Sequence, residues 1–204
     1  LNALSLDPVG ALRMSLPTFL ASSRMTPAIA GFARQHPNVA LTVVYTDYPK
    51  NLLEDGFDLN IRAGWLDDSA MMSRKLGEGE RALVVGCDYL KGRTMPLRPS
   101  DLEDWDWVRY KHRADTTVFT SRSGEVERVM GNAQIEVDSV DAMYNFVLHN
   151  AGVSILPLHL AEQGVAAGRM VRLLPDWSVR PLGIHAVWPD KSRRETLTLL
   201  FVRY

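Results

Sequence analysis

The sequence predicts an α/β protein built on mainly parallel sheets, and three observations carry that expectation. Segments of β-type composition alternate with segments of helical periodicity along the chain. The stretch Phe57-Asp58-Leu59-Asn60-Ile61-Arg62-Ala63-Gly64 reads as a buried strand that delivers a cation and then a glycine to its own carboxyl end. Val140, Met143, Tyr144, Val147 and Leu148 repeat at i, i+3, i+4, i+7 and i+8, with Gly152 beyond the end. In the 57–64 segment Leu59, Ile61 and Ala63 share one face, and Asn60 and Arg62 the other. Ligands of open α/β sheets sit beyond the carboxyl ends of strands, which places Arg62 beside a crevice suited to small anionic molecules. An arginine that closes a structural carboxylate pair is the alternative.

The elements follow in order. Ala11 to Ser15 reads as a short strand, and Leu16 to Ser23 turns out of it. Met25, Ile29 and Phe32 define a helix face, with Pro27 tolerated in the first turn and His36-Pro37-Asn38 as the stop. Val39 to Tyr45 is dense in β-branched residues and reads as a strand. Lys50 to Asp55 is expected as a short helix, with Gly56 as its stop. Arg74–Leu76 and Arg81–Val85 read as strands separated at Gly77 and Gly79, and Pro99–Glu103 as a helical turn capped by Ser100. Asp106–Lys111, Thr116–Thr120 and Gln134–Val137 are strand candidates before the 140–148 helix. Val153–Leu156 is a buried strand, Pro157 opens another helix, Met170–Leu174 follows Gly168, and Gly183–Trp188 is the last strand.

The chain has 204 residues, 46% of them hydrophobic, enough for one large domain or two small lobes. Its 23 basic and 24 acidic residues leave a net charge of −1 without a charged block, so the basic footprint of a nucleic-acid surface is missing. The single cysteine, Cys87, excludes an internal disulfide and a cysteine-rich zinc site, and reads as a small buried hydrophobe. It fits a reducing cytoplasm. No apolar run approaches the roughly 20 residues that cross a bilayer, so no membrane association is expected. Leu1 to Leu6 lacks the basic start of a signal peptide, and 197–204 ends within an apolar segment. Both ends look cut, as expected of a domain from a longer protein.

No catalytic or metal motif emerges. His36, His112, His149, His159 and His185 show neither HxH nor HExxH spacing, and Gly152-Val153-Ser154-Ile155-Leu156 lacks the second glycine of a nucleophile elbow. The pairs Asp67/Asp68 and Glu103/Asp104 read as solvated or capping carboxylates, and His149 and His159 as half-buried polar residues flanking a strand. No cofactor or metal is expected, and no enzyme activity. Two strand-to-helix passages, Met14 to Thr18 and Val137 to Val140, run through small polar residues. Their amides either bind an anion in a cleft between lobes or belong to ordinary N-caps.

Seven segments lie in a telling order. They are Gly10 to Ser15, Pro27 to Val39, Asp58 to Gly64, Arg74 to Gly77, Cys87-Asp88-Tyr89-Leu90, Ala151 to Pro157, and Gly168 to Trp177. From about residue 10 to 204, their order and spacing resemble the C-terminal effector-binding (substrate-binding) domain of LysR-type transcriptional regulators. The resemblance implies two Rossmann-like lobes joined by crossing strands, a periplasmic-binding-protein-like fold of type 2. Lobe I is then 10–81 plus 184–204, lobe II is 82–183, and residues 1–9 are the remnant of a linker.

It further implies a small-molecule effector in the interlobe cleft, assembly as a homodimer or homotetramer, and contact with DNA only through an N-terminal helix-turn-helix outside these residues. The family's effector contacts map onto Leu16, Pro17 and Thr18, onto Thr46 and Asp47, and onto Arg62 and Gly64. From the second lobe come the stretch Tyr110 to Thr116 and the pair Asp138 and Ser139. Asp47 and Asp138 depart from the family pattern and would disfavour a simple carboxylate ligand; they imply a ligand with an amine or hydroxyls, or else they point away. Thr116 to Phe119 replaces a tryptophan-containing segment of many relatives. A solute-binding protein of a transporter is the alternative function, and an enzyme on the same scaffold, such as a deaminase or dehydratase, has no motif to support it.

Overall fold

The computed structural model describes residues 8–48, 54–64, 71–189 and 195–204. Most of the expected linker remnant, the greater part of the 50–55 helix, and Asp67/Asp68 lie outside these residues. The chain divides into two compact units, residues 1–78 with 183–204 and residues 79–182, so it passes between them twice.

Unit 1 starts with β1 (Gly10–Leu16), whose Leu12, Met14 and Leu16 are fully buried. A five-residue 3-10 turn, Thr18–Ser22, leads to α1 (Met25–Gln35) and β2 (Val39–Tyr45). Glu54 to Gly56 form a turn before β3 (Leu59–Ala63), and β4 (Met72–Gly79) follows. Gly77 and Gly79 therefore lie within one strand rather than between two.

Unit 2 opens with β5 (Arg81–Gly86), and 3-10 turns at 87–90 and 99–102 lead to β6 (Asp106–Tyr110). Then come β7 (Thr117–Ser121), β8 (Val126–Val129), β9 (Asn132–Val137) and α2 (Val140–Leu148). β10 (Val153–Pro157), α3 (Leu158–Ala166), β11 (Met170–Arg172) and β12 (Trp177–Val179) complete it. β13 (Leu182–Trp188) and α4 (Glu195–Arg203) return to unit 1.

The sheets are mixed rather than mainly parallel. In unit 1 the order is β2-β1-β3-β13-β4, with β1 parallel to β2 and β3 but β13 antiparallel to β3. The pairing register sets Leu12, Met14, Leu59, Ile61 and Ala186 on one face and Ser15, Asn60, Arg62 and His185 on the other. Phe32 of α1 meets Phe201 of α4 edge-on at 5.1 Å, and each such buried ring contributes about 2 kcal/mol or more by leaving water. Gly31 lets Tyr204 approach, since a Cβ there would lie 2.5 Å from its hydroxyl.

Unit 2 has the order β11-β5-β10-β6-β9, where β6 runs parallel to β10 and β9 while β5 is antiparallel to β10 and β11. A three-stranded antiparallel sheet, β12-β7-β8, closes its core around Trp105, Trp107, Phe119, Val153 and Leu173. Trp107 Nε1 donates to Leu102 O at 3.1 Å and Ser154 Oγ to Val108 O at 2.7 Å, so these buried polar atoms are satisfied.

Local details correct three expectations. Asn150, at φ +63°, takes the left-handed position after α2. Gly152 serves a different end, because a Cβ there would lie 2.3 Å from Asp106 O. Asp101 rather than Ser100 caps the 99–102 turn, accepting from the amides of Leu97 (2.8 Å) and Arg98 (2.9 Å). Ser100 instead donates its own amide to Glu127 Oε2 at 3.0 Å. Cys87 is half-buried, with Sγ donating to Gly168 O at 3.3 Å.

Candidate functional site

In unit 1 the sequence-predicted residues gather at the carboxyl ends of β1, β2 and β3. Leu16 closes β1, fully buried, and its carbonyl accepts the amide of Thr46 at 2.8 Å. Pro17 fixes the turn out of the strand, its carbonyl accepting from Leu20 N at 3.1 Å. Asp47 reaches across from the end of β2: Oδ1 accepts the Thr18 amide at 3.0 Å and Oδ2 the Thr18 hydroxyl at 2.7 Å. The amide at Thr18 is thus not open to a ligand, and the passage after β1 is a short 3-10 turn rather than a helix end. Asp47 does not point away: both oxygens of its carboxylate are engaged by Thr18. Thr46 Oγ1 accepts the amide of Tyr48 at 3.2 Å.

Arg62 and Gly64 end β3. Arg62 is half-buried opposite His185 of β13, so both side chains leave the sheet on the same side. Gly64, at φ +141°, donates its amide to Gly183 O at 2.9 Å. On the same face Ser15 Oγ donates to Asn60 Oδ1 at 2.6 Å, both residues being buried. His185 Nδ1 is buried and has no hydrogen-bond partner among the described residues. The sequence contained this histidine but no spacing that marked it, because its neighbours are set by an antiparallel pairing across more than a hundred residues.

In unit 2, Tyr110 is the last residue of β6, opposite Val137, the last of β9. Its ring lies 5.6 Å from His112, and the Arg113 guanidinium 5.7 Å from its centroid. Thr116 is exposed just before β7. Asp138 is exposed, and Ser139 caps α2, its hydroxyl accepting the Ala142 amide at 3.4 Å. Of the sequence-predicted residues, unit 1 holds Leu16, Pro17, Thr18, Thr46, Asp47, Arg62 and Gly64. Unit 2 holds Tyr110, Thr116, Asp138 and Ser139.

Arg81, absent from the sequence-predicted set, lies at the same strand ends. It opens β5 opposite Pro157, the last residue of β10. Burial, then the charges of Arg113 and Arg180, push its guanidinium down to about 9, so it remains a cation at neutral pH. Burial likewise lowers Arg113. Among the described residues no group of three or more His, Cys, Asp or Glu side chains could hold a metal ion, and no helix is long and apolar enough to cross a membrane.

Comparison with known proteins gives concordant results. Residues 6–204 match the LysR substrate binding domain family. The HTH-type transcriptional regulator PtxR of Pseudomonas aeruginosa is 32% identical over 185 residues, covering 90% of this chain and 59% of PtxR. The HTH-type transcriptional activator AaeR of Escherichia coli is 24% identical, over 95% of this chain and 63% of its own length. The chain thus spans about six-tenths of these curated relatives. Among solved structures, the full-length Vibrio cholerae virulence activator AphB superposes with a TM-score of 0.78 at 21% identity, covering 96% of this chain and 68% of AphB. CrgA of Neisseria meningitidis gives 0.78 at 22% identity, over 98% of this chain and 68% of CrgA. At these identities the structural likeness speaks for the fold, which is the periplasmic-binding-protein-like type 2 fold of LysR-type regulatory domains.

Proposed function

The chain belongs to the LysR substrate binding domain family, and from that premise we propose that it is the effector-sensing regulatory part of a LysR-type DNA-binding transcription factor. The observation that carries this reading is the family match over residues 6–204, joined by 32% identity to a transcriptional regulator across 90% of the chain. A small metabolite binds between a lobe I of 10–81 plus 184–204 and a lobe II of 82–183. Its contacts are drawn from Leu16, Pro17, Thr18, Thr46, Asp47, Arg62 and Gly64 in the first lobe, and from Tyr110, Thr116, Asp138 and Ser139 in the second. The grouping of the first set at the carboxyl ends of three parallel strands supports that placement.

Binding shifts the balance between two lobe arrangements by no more than the ligand's differential affinity for them. A homodimer or homotetramer carries the shift to a helix-turn-helix in the remainder of the protein, and the protein works in the cytoplasm without catalysing a reaction. The relatives are transcriptional regulators, which weighs against the transporter alternative.

A thermal-shift screen of small metabolites tests the reading. A ligand at about 100 times its Kd adds roughly 2.7 kcal/mol, which raises Tm by about 5–10 °C for a chain of this size. A saturable hit that is recovered unchanged supports a sensor; a hit that is turned over identifies an enzyme instead. Light scattering reads the oligomer, and a monomer at all concentrations removes the proposed route of transmission.

A further inference from the structure

Two donor side chains stand next to each other near the carboxyl end of β3 in unit 1. Arg62 of β3 pairs directly with His185 of β13, so both leave the same face of the sheet with Cβ atoms about 5 Å apart. Arg62 is half-buried, and among the described residues its guanidinium makes no hydrogen bond, ion pair or ring contact. An arginine drawn out of water ordinarily has a partner, because a desolvated donor without an acceptor costs free energy. Its neighbours on that face are engaged. Ser15 Oγ donates to Asn60 Oδ1 at 2.6 Å, and the Arg13 guanidinium lies 4.6 Å from the centroid of the Phe57 ring.

His185 adds a donor of fixed direction. Its Nδ1 is buried with no hydrogen-bond partner among the described residues. A neutral imidazole carries its proton on one nitrogen, and a buried N–H without an acceptor is the costlier orphan, so the proton belongs on Nε2. The Cε1–Nε2 edge of the ring lies over Gly183, where a Cβ would be 2.3 Å from Cε1 and 3.1 Å from Nε2. Gly183 O accepts the Gly64 amide just past the end of β3, so Nε2 stands beside that strand end. Gly64 itself, at φ +141°, has nothing among the described residues within 4 Å of where its Cβ would be. The arginine fork and the imidazole N–H therefore flank a strand end that no side chain at Gly64 or Gly183 fills.

We propose that Arg62 and His185 form an oxyanion subsite of unit 1 that takes a carboxylate of the effector. The inference deepens the effector-binding reading and rests on it. The planar fork of Arg62 matches the two oxygens of a carboxylate, and the Nε2–H of His185 donates to one of them. One permanent cation matches the single charge of a carboxylate, whereas a phosphate near its second charge would be left half compensated. The carboxyl ends of β1, β2 and β3 form the edge at which open α/β sheets take ligands. Asp47 belongs to the end of β2, which β1 separates from β3, and Thr18 holds its carboxylate.

The test titrates benzoate, its neutral counterpart benzamide and inorganic phosphate separately into the whole chain by calorimetry and thermal shift, with chloride holding ionic strength constant. Benzoate should bind saturably and raise Tm, and the other two should bind at least ten-fold more weakly. Arg62→Gln should weaken benzoate at least ten-fold, Arg62→Lys should recover part of the loss, and Arg128→Gln on β8 should leave binding unchanged. His185→Phe, which keeps a ring and removes the donor, should weaken benzoate about three- to ten-fold. Because Arg62 has no partner among the described residues to lose, Arg62→Gln should keep the wild-type Tm without benzoate, so lost binding is not lost folding. No saturable response to benzoate, equal binding of benzamide, or equal binding of benzoate by Arg62→Gln and wild type overturns the subsite. Phosphate bound more tightly than benzoate overturns its assignment to a carboxylate. A carboxylate metabolite that binds wild type and Arg62→Gln alike overturns the subsite but leaves effector sensing standing. Failure of every metabolite to bind overturns the sensing reading, while benzoate still judges the subsite.

Discussion

Asp47 holds Thr18 at two points, its carboxylate accepting the backbone amide at 3.0 Å and the side-chain hydroxyl at 2.7 Å. The contact ties the end of β2 to the turn that follows β1 and gives Asp47 a structural role. Hydrogen bonds to a charged group contribute about 1.5–3 kcal/mol each, with overlap when two share one carboxylate. Asp47→Ala should therefore lower the unfolding free energy by about 2–3 kcal/mol in urea denaturation. Thr18→Val, which keeps the amide bond and loses only the hydroxyl, should lose about half as much. An Asp47→Ala protein within about 0.5 kcal/mol of wild type, the range of inert surface changes, would show that the bridge is not formed in solution.

Two glycines separate close approach from convenience. Gly152 combines φ +144° with a virtual Cβ only 2.3 Å from Asp106 O, so Gly152→Ala must displace the backbone at the β6–β10 junction. Backbone strain and overpacking together set a cost of about 3 kcal/mol or more. Gly77 lies in exposed β4 with nothing within 4 Å of its virtual Cβ. Gly77→Ala should be neutral, or stabilise by about 0.4–1 kcal/mol through a less disordered unfolded chain. Thermal unfolding of the pair checks both signs, and similar Tm values for the two variants would contradict this ranking.

These contrasts mark what the sequence reveals and what it hides. α1 and α2 were legible because their buried residues, Ile29 and Phe32, and Val140, Met143 and Val147, follow the helical repeat, and the repeat is a local property. β8 and β12 were missed, being four and three residues long, too short for an alternation to register. Strand direction was misjudged because nothing within β13 or β5 records which neighbour it meets; that is set by chain segments far away. The same limit governs the site. Arg62 can be placed at a strand end from the sequence because it closes a recognisable strand, whereas Arg81 and His185 take their places only through antiparallel partners distant in sequence.

Asn150 shows how one turn can be misassigned. The residue sits at φ +63°, and its Oδ1 accepts the amides of Asp88 at 2.9 Å and Tyr89 at 3.3 Å. Gly86 leaves room for it, since a Cβ there would lie 2.3 Å from that oxygen. Asn150→Ala should lose both acceptor bonds and meet the left-handed penalty, about 2–4 kcal/mol together. Asn150→Gly removes the penalty but not the lost bonds and should cost about 1–2 kcal/mol. Equal losses in equilibrium unfolding would assign the whole effect to the side chain rather than the backbone.

His185 offers the sharpest separation of packing from polarity. Its ring fills the space over Gly183, where a Cβ would lie 2.3 Å from Cε1, while Nδ1 is buried with no hydrogen-bond partner among the described residues. A buried polar atom lacking a partner gives back its desolvation cost when replaced by an apolar group of similar shape. His185→Phe should therefore stay within about 0.5 kcal/mol of wild type or exceed it, because the ring is kept and the orphaned nitrogen removed. His185→Ala should lose about 1–3 kcal/mol as contacts over the glycine vanish. Unfolding curves recorded without added metabolites decide between them. A phenylalanine variant that falls as far as the alanine one would mean that Nδ1 is satisfied in solution and that His185 is a structural hydrogen-bonding residue of β13.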